Sequence, residues 1–216
     1  MPSMMKRAIL IGVAVLTTAI VIELTQAASA SNAYYKLSEP EVVVVPTVSK
    51  EYEKDSVQNL NRQIDEQIVC LARNIYWEAR NQSKLGMIAV GRVVLNRVNS
   101  ERYPSTICEV VHEGPTRESW KTKKDETLAD KDREFQPVKN RCQFSWYCDG
   151  TKDEVQPGEE SIYELAYSLA RNIVLHNKWA GIVEGATHYH ATYVSPNWAD
   201  KNKLTVRIDD HLFYKL

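Results

Sequence analysis

The sequence predicts a domain of the α+β class, in which helices come first and a small antiparallel sheet follows near the C-terminus. From about residue 57 to residue 176, apolar side chains recur at the three- and four-residue spacing of amphipathic helices. After residue 186 the pattern changes, because β-branched and aromatic residues cluster in short runs that are typical of strands. Helices and strands that are separated along the chain in this way favour an α+β fold.

Residues 1–30 are typical of an export signal. Lys6 and Arg7 precede an apolar run over residues 8–22, and Ala28-Ser29-Ala30 supplies a cleavage site of small residues. The apolar run is shorter than the about 20 residues that a membrane-spanning helix needs, and an uncleaved N-terminal anchor is the alternative interpretation. Both interpretations place the rest of the chain outside the cytoplasm, either in the periplasm or cell envelope or secreted.

Residues 31–56 predict a linker, and residues 57–216 predict a single domain with its own core. The linker contains two prolines and the valine run Val42–Val45, which could add an edge strand. Basic and acidic residues nearly balance, with 27 Lys and Arg against 28 Asp and Glu, so no nucleic-acid partner is indicated. We expect a monomer without a cofactor that meets a membrane only through a possible N-terminal anchor.

Helices are predicted in order along the domain. The first runs from Val57 to Ala79, and Ser83 is a candidate N-cap for a second helix with an apolar stripe from Met87 to Val98. Gly91 lies in that stripe, which indicates close packing against another helix. A short helix over residues 106–111 and a longer one after Pro157-Gly158 follow, the latter with its stripe at Ile162, Leu165, Ala166, Leu169 and Ile173.

The remaining segments are a charged stretch and three strands. Residues 116–139 are highly charged and weakly patterned, which predicts a solvated excursion that could shape access to a cleft if it folds over one. Strands are predicted over Thr187–Val194, Leu204–Ile208 and Leu212–Leu216.

Glu78 is the leading candidate for a catalytic residue. On the helical wheel it lies within about 20° of Leu71, on the shoulder of the apolar face. Arg80 points about 200° away and is therefore not its partner. An unpaired carboxylate in that position is costly as an anion and should keep its proton, which is the state that acid-catalysed glycosidic cleavage requires. The alternative is a solvated or ion-paired glutamate near a helix end.

Four cysteines in an exported chain favour disulfides, and three connectivities are possible. Cys142 and Cys148 are close enough to close a small loop. Cys70 lies near the core face of the first helix and could be a free buried thiol. A four-cysteine zinc site is less favoured because the tight pairs of zinc ribbons do not occur.

Five segments resemble the cell-wall hydrolases related to spore cortex-lytic enzymes, the SleB-like group. They are NIYWEARNQSKLGMIAVGRVVLNRV, RYPSTICEVV, CQFSWYCDG, GATHYHATYVSPNW and DDHLFY, in the family's order, with residues 116–139 outside the match. Trp77 stands where the family usually has His. The resemblance implies a lysozyme-like or lytic-transglycosylase-like domain that acts on peptidoglycan, with Glu78 as the catalytic glutamate.

The reaction implied is cleavage of the MurNAc–GlcNAc β-1,4 bond. A retaining hydrolase needs a second carboxylate about 5 Å away, and the best candidate, Asp149, stands beside a glycine where it can simply form a turn. A lytic transglycosylase uses one glutamate first as acid and then as base, and gives a 1,6-anhydro-MurNAc end. We therefore favour the transglycosylase, with a muramidase-type hydrolase as the alternative.

Polar and aromatic residues outside the first helix complete the predicted site. Trp146 is suited to stacking on sugars, although it and Phe144 could equally belong to the core. Two histidines share one face of a predicted strand because they alternate with Tyr189. The candidate substrate contacts are Gln143, Ser145, Trp146, His188, His190 and Tyr193.

Three other classes of protein compete with this interpretation. The His188–His190 spacing could hold zinc in an amidase or peptidase, but no HExxH pair occurs, so no metal is predicted. Nucleophilic catalysis by Cys and His is disfavoured by export and the even cysteine count. A non-catalytic glycan-binding protein would keep the aromatic residues without needing Glu78 on an apolar shoulder.

Overall fold

The structure, a computed structural model, describes residues 50–216, with side chains from residue 54 onward. The predicted export signal, the valine run and most of the predicted linker lie outside the described residues. Residues 50–56 of that linker are helical instead, because the first helix begins at Lys50. Within the described part, no helix is long and apolar enough to cross a membrane.

The described residues are mainly helical up to His176 and end in a three-stranded antiparallel sheet, which confirms the α+β class. The helices are α1 (Lys50–Ala79), α2 (Lys84–Val98), α3 (Ile107–Val111), α4 (Trp120–Lys123) and α5 (Glu160–His176). The strands are β1 (Thr116–Glu118), β2 (Phe135–Pro137), β3 (His188–Ala191), β4 (Leu204–Ile208) and β5 (His211–Tyr214). β5 is central in the sheet β3-β5-β4, and all its pairings are antiparallel.

Helix α1 is the axis of the helical part, since α2, α3 and α5 all pack against it. Its apolar stripe is buried as the periodicity predicts, with Leu71, Ala72 and Ile75 fully inaccessible to solvent. The stripe of α5 is also confirmed except at Leu165, which remains 37% exposed. The long central helix therefore carries its last turn, with Glu78, to the edge of the core.

Local signals in the sequence correctly predict the start and the packing of α2. The Ser83 hydroxyl accepts hydrogen bonds from two backbone N–H groups of the first turn, which caps the helix. A methyl group added to Gly91 would lie 2.8 Å from Ile75 Cδ1 and 2.9 Å from Ile173 Cδ1. The absence of a side chain at Gly91 thus lets α1, α2 and α5 approach closely.

Apolar side chains form two clusters that meet at the sheet. The larger lies among the helices, and the smaller joins α2 to the sheet through Val93, Ile208 and Phe213. The ring of Tyr189 packs against both clusters. Through Tyr189, strand β3 therefore connects the sheet to the helical part.

Two disulfides join the four cysteines. Cys70 of α1 bonds Cys108 of α3, and Cys142 bonds Cys148 across a small loop. The prediction of a free thiol at Cys70 is wrong, because α3 packs on α1 and brings Cys108 to it. The predicted small-loop bridge is confirmed.

Residues 116–139 form a surface excursion, as predicted. Strands β1 and β2 pair as a short antiparallel ladder across it, with Arg117 opposite Gln136. Trp120 and Phe135 on this excursion are 66% and 59% exposed. An ion pair between Arg133 and Glu118, 2.8 Å long, ties its two sides together.

Candidate active site

The site is centred on Glu78, one residue before the end of α1. Its carboxylate accepts a hydrogen bond from the hydroxyl of Tyr189, with 2.9 Å between the phenolic oxygen and Oε2. Glu78 is partly buried, and its neighbours Tyr76 and Ala79 are fully buried. The sequence-based position on the shoulder of the apolar face is therefore confirmed.

Tyr189 reaches Glu78 because β3 alternates its side chains between two faces. Tyr189 lies opposite Phe213 of β5, and their ring centroids are 5.6 Å apart. His211 lies edge-on to the same ring at 5.1 Å. These contacts pack around the phenol, whose hydroxyl reaches the end of α1.

The ionisation of the pair follows from burial. Burial raises the pKa of Glu78, and this outweighs the Tyr189 hydrogen bond and the positive charge of Arg97, which both lower it. Burial also raises the pKa of Tyr189 well above its ordinary value, with the charge of Glu78 adding to the effect. Tyr189 is thus a neutral donor at physiological pH, and Glu78 keeps its proton to a higher pH than an exposed glutamate.

Arg97 of α2 is the third member of the site. It is only 2% exposed, and its Nε donates to the carbonyl of Thr187 at 2.7 Å. Its guanidinium lies 5.3 Å from the ring centroids of both Tyr103 and Phe144. The amide oxygen of Gln143, turned toward the guanidinium, accepts from its two terminal nitrogens at 3.1 and 3.2 Å.

The predicted aromatic-polar cluster divides between surface and core. Gln143 and Ser145 are exposed. Trp146 is only 6% exposed, donates from Nε1 to the Asn74 side-chain oxygen at 3.1 Å and stacks on Trp77. This burial favours the core alternative for Trp146 over stacking on a sugar, because a sugar ring needs an accessible indole face.

The two histidines share one face of β3, as predicted, and it is the face away from Tyr189. His190 Nε2 lies 3.0 Å from the Tyr214 hydroxyl, and His188 Nδ1 lies 3.0 Å from the Thr187 hydroxyl. Both histidine rings contact Trp198, with centroids 5.3 and 5.5 Å away. Tyr193 is 87% exposed beyond the end of the strand. The structure thus groups the histidines with Trp198 and brings Tyr189, from the same strand, to Glu78.

Sequence reasoning missed Tyr189 and Arg97. The alternation that pairs the two histidines places Tyr189 on the opposite face, but it does not show that this face meets Glu78. Arg97 stands four residues after Val93 in α2, where the helical period calls for a buried side chain. A charged residue at a buried position was the available signal for Arg97.

Asp149 is held in a turn rather than paired with Glu78. Its Oδ1 accepts from the backbone N–H and the hydroxyl of Thr151, both at 2.7 Å. These hydrogen bonds hold the pKa of Asp149 below its usual range. An ionised carboxylate of this kind matches the turn-forming alternative.

Zinc-dependent catalysis would need a cluster of metal ligands, and nucleophilic catalysis by cysteine would need a free thiol. Between residues 54 and 216, no group of three or more His, Cys, Asp or Glu side chains is arranged to hold a metal ion. All four cysteines are in disulfides, so the chain has no thiol for nucleophilic catalysis.

A surface depression of the described residues lies apart from this site. It has a volume of about 690 Å³, runs along the middle of α1 and is lined by exposed polar residues such as Gln58, Asn61 and Arg62, with the Cys70–Cys108 disulfide at one end. We place the site at Glu78, because a buried carboxylate bonded to a buried phenol supplies proton-transfer chemistry and the depression does not.

Comparison with known proteins gives a family match, a curated relative and two similar solved structures. A family model described as Cell Wall Hydrolase matches residues 81–214, a region that begins just after Glu78. The spore cortex-lytic enzyme of Halalkalibacterium halodurans is 39% identical over 49 residues, which are 23% of this chain and 15% of that protein. The chain thus matches only a small part of the length of this curated relative.

Two solved structures are also similar to the chain. The catalytic domain of the Bacillus cereus SleB protein is 22% identical, with a TM-score of 0.45 over 70% of this chain and 91% of that one. The catalytic domain of the germination-specific lytic transglycosylase SleB from Bacillus anthracis is 22% identical, with a TM-score of 0.46 over 69% and 93%.

Proposed function

Because the chain belongs to the cell wall hydrolase family, we propose that it cleaves the glycan strands of peptidoglycan at the MurNAc–GlcNAc β-1,4 bond. The family assignment confirms the resemblance that the sequence segments predicted. The observation that carries the proposal is Glu78, whose pKa is raised by burial and whose carboxylate is held by the Tyr189 hydroxyl. A protonated carboxyl group in a fixed position is the acid that glycosidic cleavage needs.

In the first step, protonated Glu78 donates its proton to the glycosidic oxygen. The bond between that oxygen and C1 of MurNAc breaks, and positive charge develops on the sugar ring. Glu78 becomes a carboxylate, and the hydrogen bond from Tyr189 stabilises the charge that forms on it. The GlcNAc-terminated product leaves with the proton.

In the second step, ionised Glu78 acts as the base. It removes the proton of the MurNAc 6-hydroxyl, whose oxygen attacks C1 and closes a 1,6-anhydro ring. Glu78 ends the cycle protonated, so no water is consumed and one carboxylate suffices. This route is favoured because Asp149, the best second acid in the sequence, is engaged by Thr151.

The proposed place of action is the cell envelope, outside the cytoplasm. Two disulfides fit an oxidising compartment. The monomeric state and the N-terminal signal or anchor stay predictions.

The variant Glu78→Gln tests the proposal against purified sacculi. Loss of general acid catalysis should lower the rate of glycan cleavage by about 10²- to 10⁴-fold. The matched control is Glu66→Gln, which changes an exposed glutamate of the same helix and should leave the rate unchanged. Undiminished activity of Glu78→Gln would sink the acid–base role.

Mass spectrometry of the released muropeptides distinguishes the two glycan-cleaving reactions. A transglycosylase gives disaccharide products lighter by one water than those of a muramidase. Products with hydrated reducing ends would replace the transglycosylase route by the hydrolase route. Release of stem peptides without new glycan ends would indicate an amidase and overturn the proposal.

A further inference from the structure

We propose that Arg97 is a positioning residue of the Glu78 site, which fixes the strand that carries Tyr189 and contributes a buried positive charge to the site. The inference rests on the proposed function, in which Glu78 must exist both as an acid and as a carboxylate. Arg97 belongs to α2, so it acts on the site from a different element than Glu78 or Tyr189. The acid and base steps at Glu78 do not themselves require an arginine.

The first observation is a clamp between α2 and the start of β3. Arg97 Nε donates to the carbonyl of Thr187 at 2.7 Å, and the neighbouring Asn96 side chain donates to the carbonyl of Ala186 at 2.8 Å. Two consecutive residues of a helix thus hold two consecutive carbonyls of the chain. Tyr189 follows two residues later, so its hydroxyl is placed relative to α2 by this clamp.

The second observation is what surrounds the charge of Arg97. A buried arginine is normally paired with a carboxylate, because an unpaired buried charge is costly. In the described structure, the ion pairs join Arg80 to Glu159 and Arg133 to Glu118 and Asp130, and none includes Arg97. Its hydrogen-bond acceptors, the Thr187 carbonyl and the Gln143 amide, are neutral. Arg97 thus keeps its charge without a direct ion pair, while the carboxylates of Glu113 and Glu78 act on it electrostatically.

The third observation is the set of titratable groups on which the charge of Arg97 acts. The charge of Arg97 lowers the pKa of Glu78, against the larger raising effect of burial. Tyr189 of β3 bonds Glu78, and it interacts electrostatically with Arg97, as do Tyr103 and Glu113. Burial lowers the pKa of His188, and the charges of Arg97 and Arg102 lower it further. Among the described residues, Arg97 is the positive group whose charge lowers the pKa of Glu78.

A chemical consequence follows for the second half of the reaction. Once Glu78 has given up its proton, the carboxylate must persist in a buried place until it takes the proton of the MurNAc 6-hydroxyl. A fixed positive charge stabilises that carboxylate, and it does so without forming a salt bridge that would hold the carboxylate ionised before the reaction. Arg97 therefore stabilises the carboxylate form of Glu78 without removing the protonated form that the first step needs.

The test compares the pH dependence of kcat/KM for Arg97→Met and Asn96→Ala. Both variants lose one arm of the clamp, but only Arg97→Met loses the charge. Removal of a positive charge raises the pKa of Glu78, so the alkaline limb of Arg97→Met should move upward by about 0.5–1 pH unit, a threefold to tenfold change in ionisation. Asn96→Ala should lower kcat and leave the limb in place. Coincident limbs for Arg97→Met and the wild type would overturn the proposal.

A second pair of variants serves if Arg97→Met does not fold. Gln143 is exposed, so Gln143→Glu places a carboxylate on the guanidinium without disturbing the core. It should shift the alkaline limb upward, whereas the uncharged Gln143→Leu should not. Equal limbs in these two variants would also contradict the role of the charge.

A direct titration separates this inference from the proposed function. Carbon-13 NMR of the Glu78 carboxyl, with Glu78→Gln to assign the signal, reports its ionisation whether or not the protein cleaves glycan. Full activity of Glu78→Gln would remove the proposed function. A Glu78 titration that is the same in the wild type and in Gln143→Glu would remove only the role of Arg97.

Discussion

Replacement of Tyr189 by Phe tests the central pair of the site. Phe keeps the ring contacts with Phe213 and His211 and deletes only the hydroxyl that donates to Glu78 at 2.9 Å. A hydrogen bond to a charged group is worth about 1.5–3 kcal/mol, and one to a neutral group about 0.5–1.5 kcal/mol. The Tyr189 hydroxyl therefore stabilises ionised Glu78 over protonated Glu78 by about 1–1.5 kcal/mol, and the variant loses this difference.

That difference corresponds to about one pH unit. The Glu78 carboxyl of Tyr189→Phe should therefore lose its proton at higher pH, and the alkaline limb of kcat/KM should move upward by about that amount. Because the acid is also weaker, the plateau rate should fall by roughly threefold to tenfold. The assay is the loss of turbidity of purified sacculi, measured across the pH range.

The control is Tyr167→Phe, which deletes the hydroxyl of a partly buried tyrosine on α5, outside the candidate site, and should leave both limb and plateau unchanged. A thermal melt of each variant confirms that the fold is kept. If Tyr189→Phe shows the wild-type limb and the wild-type plateau, the hydrogen bond does not tune Glu78 and the reasoning fails.

Two further predictions concern stability. Since burial raises the pKa of Glu78 in the folded state, the native protein binds the proton more tightly than the unfolded chain, and stability falls as pH rises through the folded pKa. Glu78→Gln should therefore be more stable than the wild type at pH 8, with a gain that disappears below about pH 4, near the pKa of an unfolded glutamate; a gain independent of pH in urea unfolding would contradict this. Cys70→Ala with Cys108→Ala opens a loop of 38 residues and should cost about 4 kcal/mol, whereas Cys142→Ala with Cys148→Ala opens one of 6 residues and should cost about 2 kcal/mol. Equal losses in urea unfolding would show that loop length does not govern their contributions.

The helical part of the fold could be predicted from the sequence because its signals are local. The three- and four-residue spacing of apolar side chains in α1 predicts its buried face, and this alone places Glu78 on the edge of the core. The N-cap at Ser83 depends on a hydroxyl two and three residues from the amides that it binds. Interactions of this range are visible in any short window of sequence.

The partners of Glu78 could not be predicted in the same way. Tyr189 is 111 residues away in the chain, and alternation along β3 shows two faces without showing which one meets α1. That choice depends on how the sheet docks on α2 through Val93, Ile208 and Phe213. The Cys70–Cys108 pairing has the same origin, because it depends on where α3 packs and not on the sequence around either cysteine.

The alternation of side chains along β3 also limits where residues can be inserted or deleted. Tyr189 faces Glu78 only while His188 lies opposite Tyr214 and His190 opposite Leu212. Since side chains alternate with a period of two, a slip of one residue would exchange the phenol for an imidazole and leave the carboxylate without its donor. A single insertion or deletion between the Thr187 carbonyl and Ala191 would thus be as damaging as losing Tyr189, whereas the excursion over residues 116–139 can lengthen or shorten without moving β3.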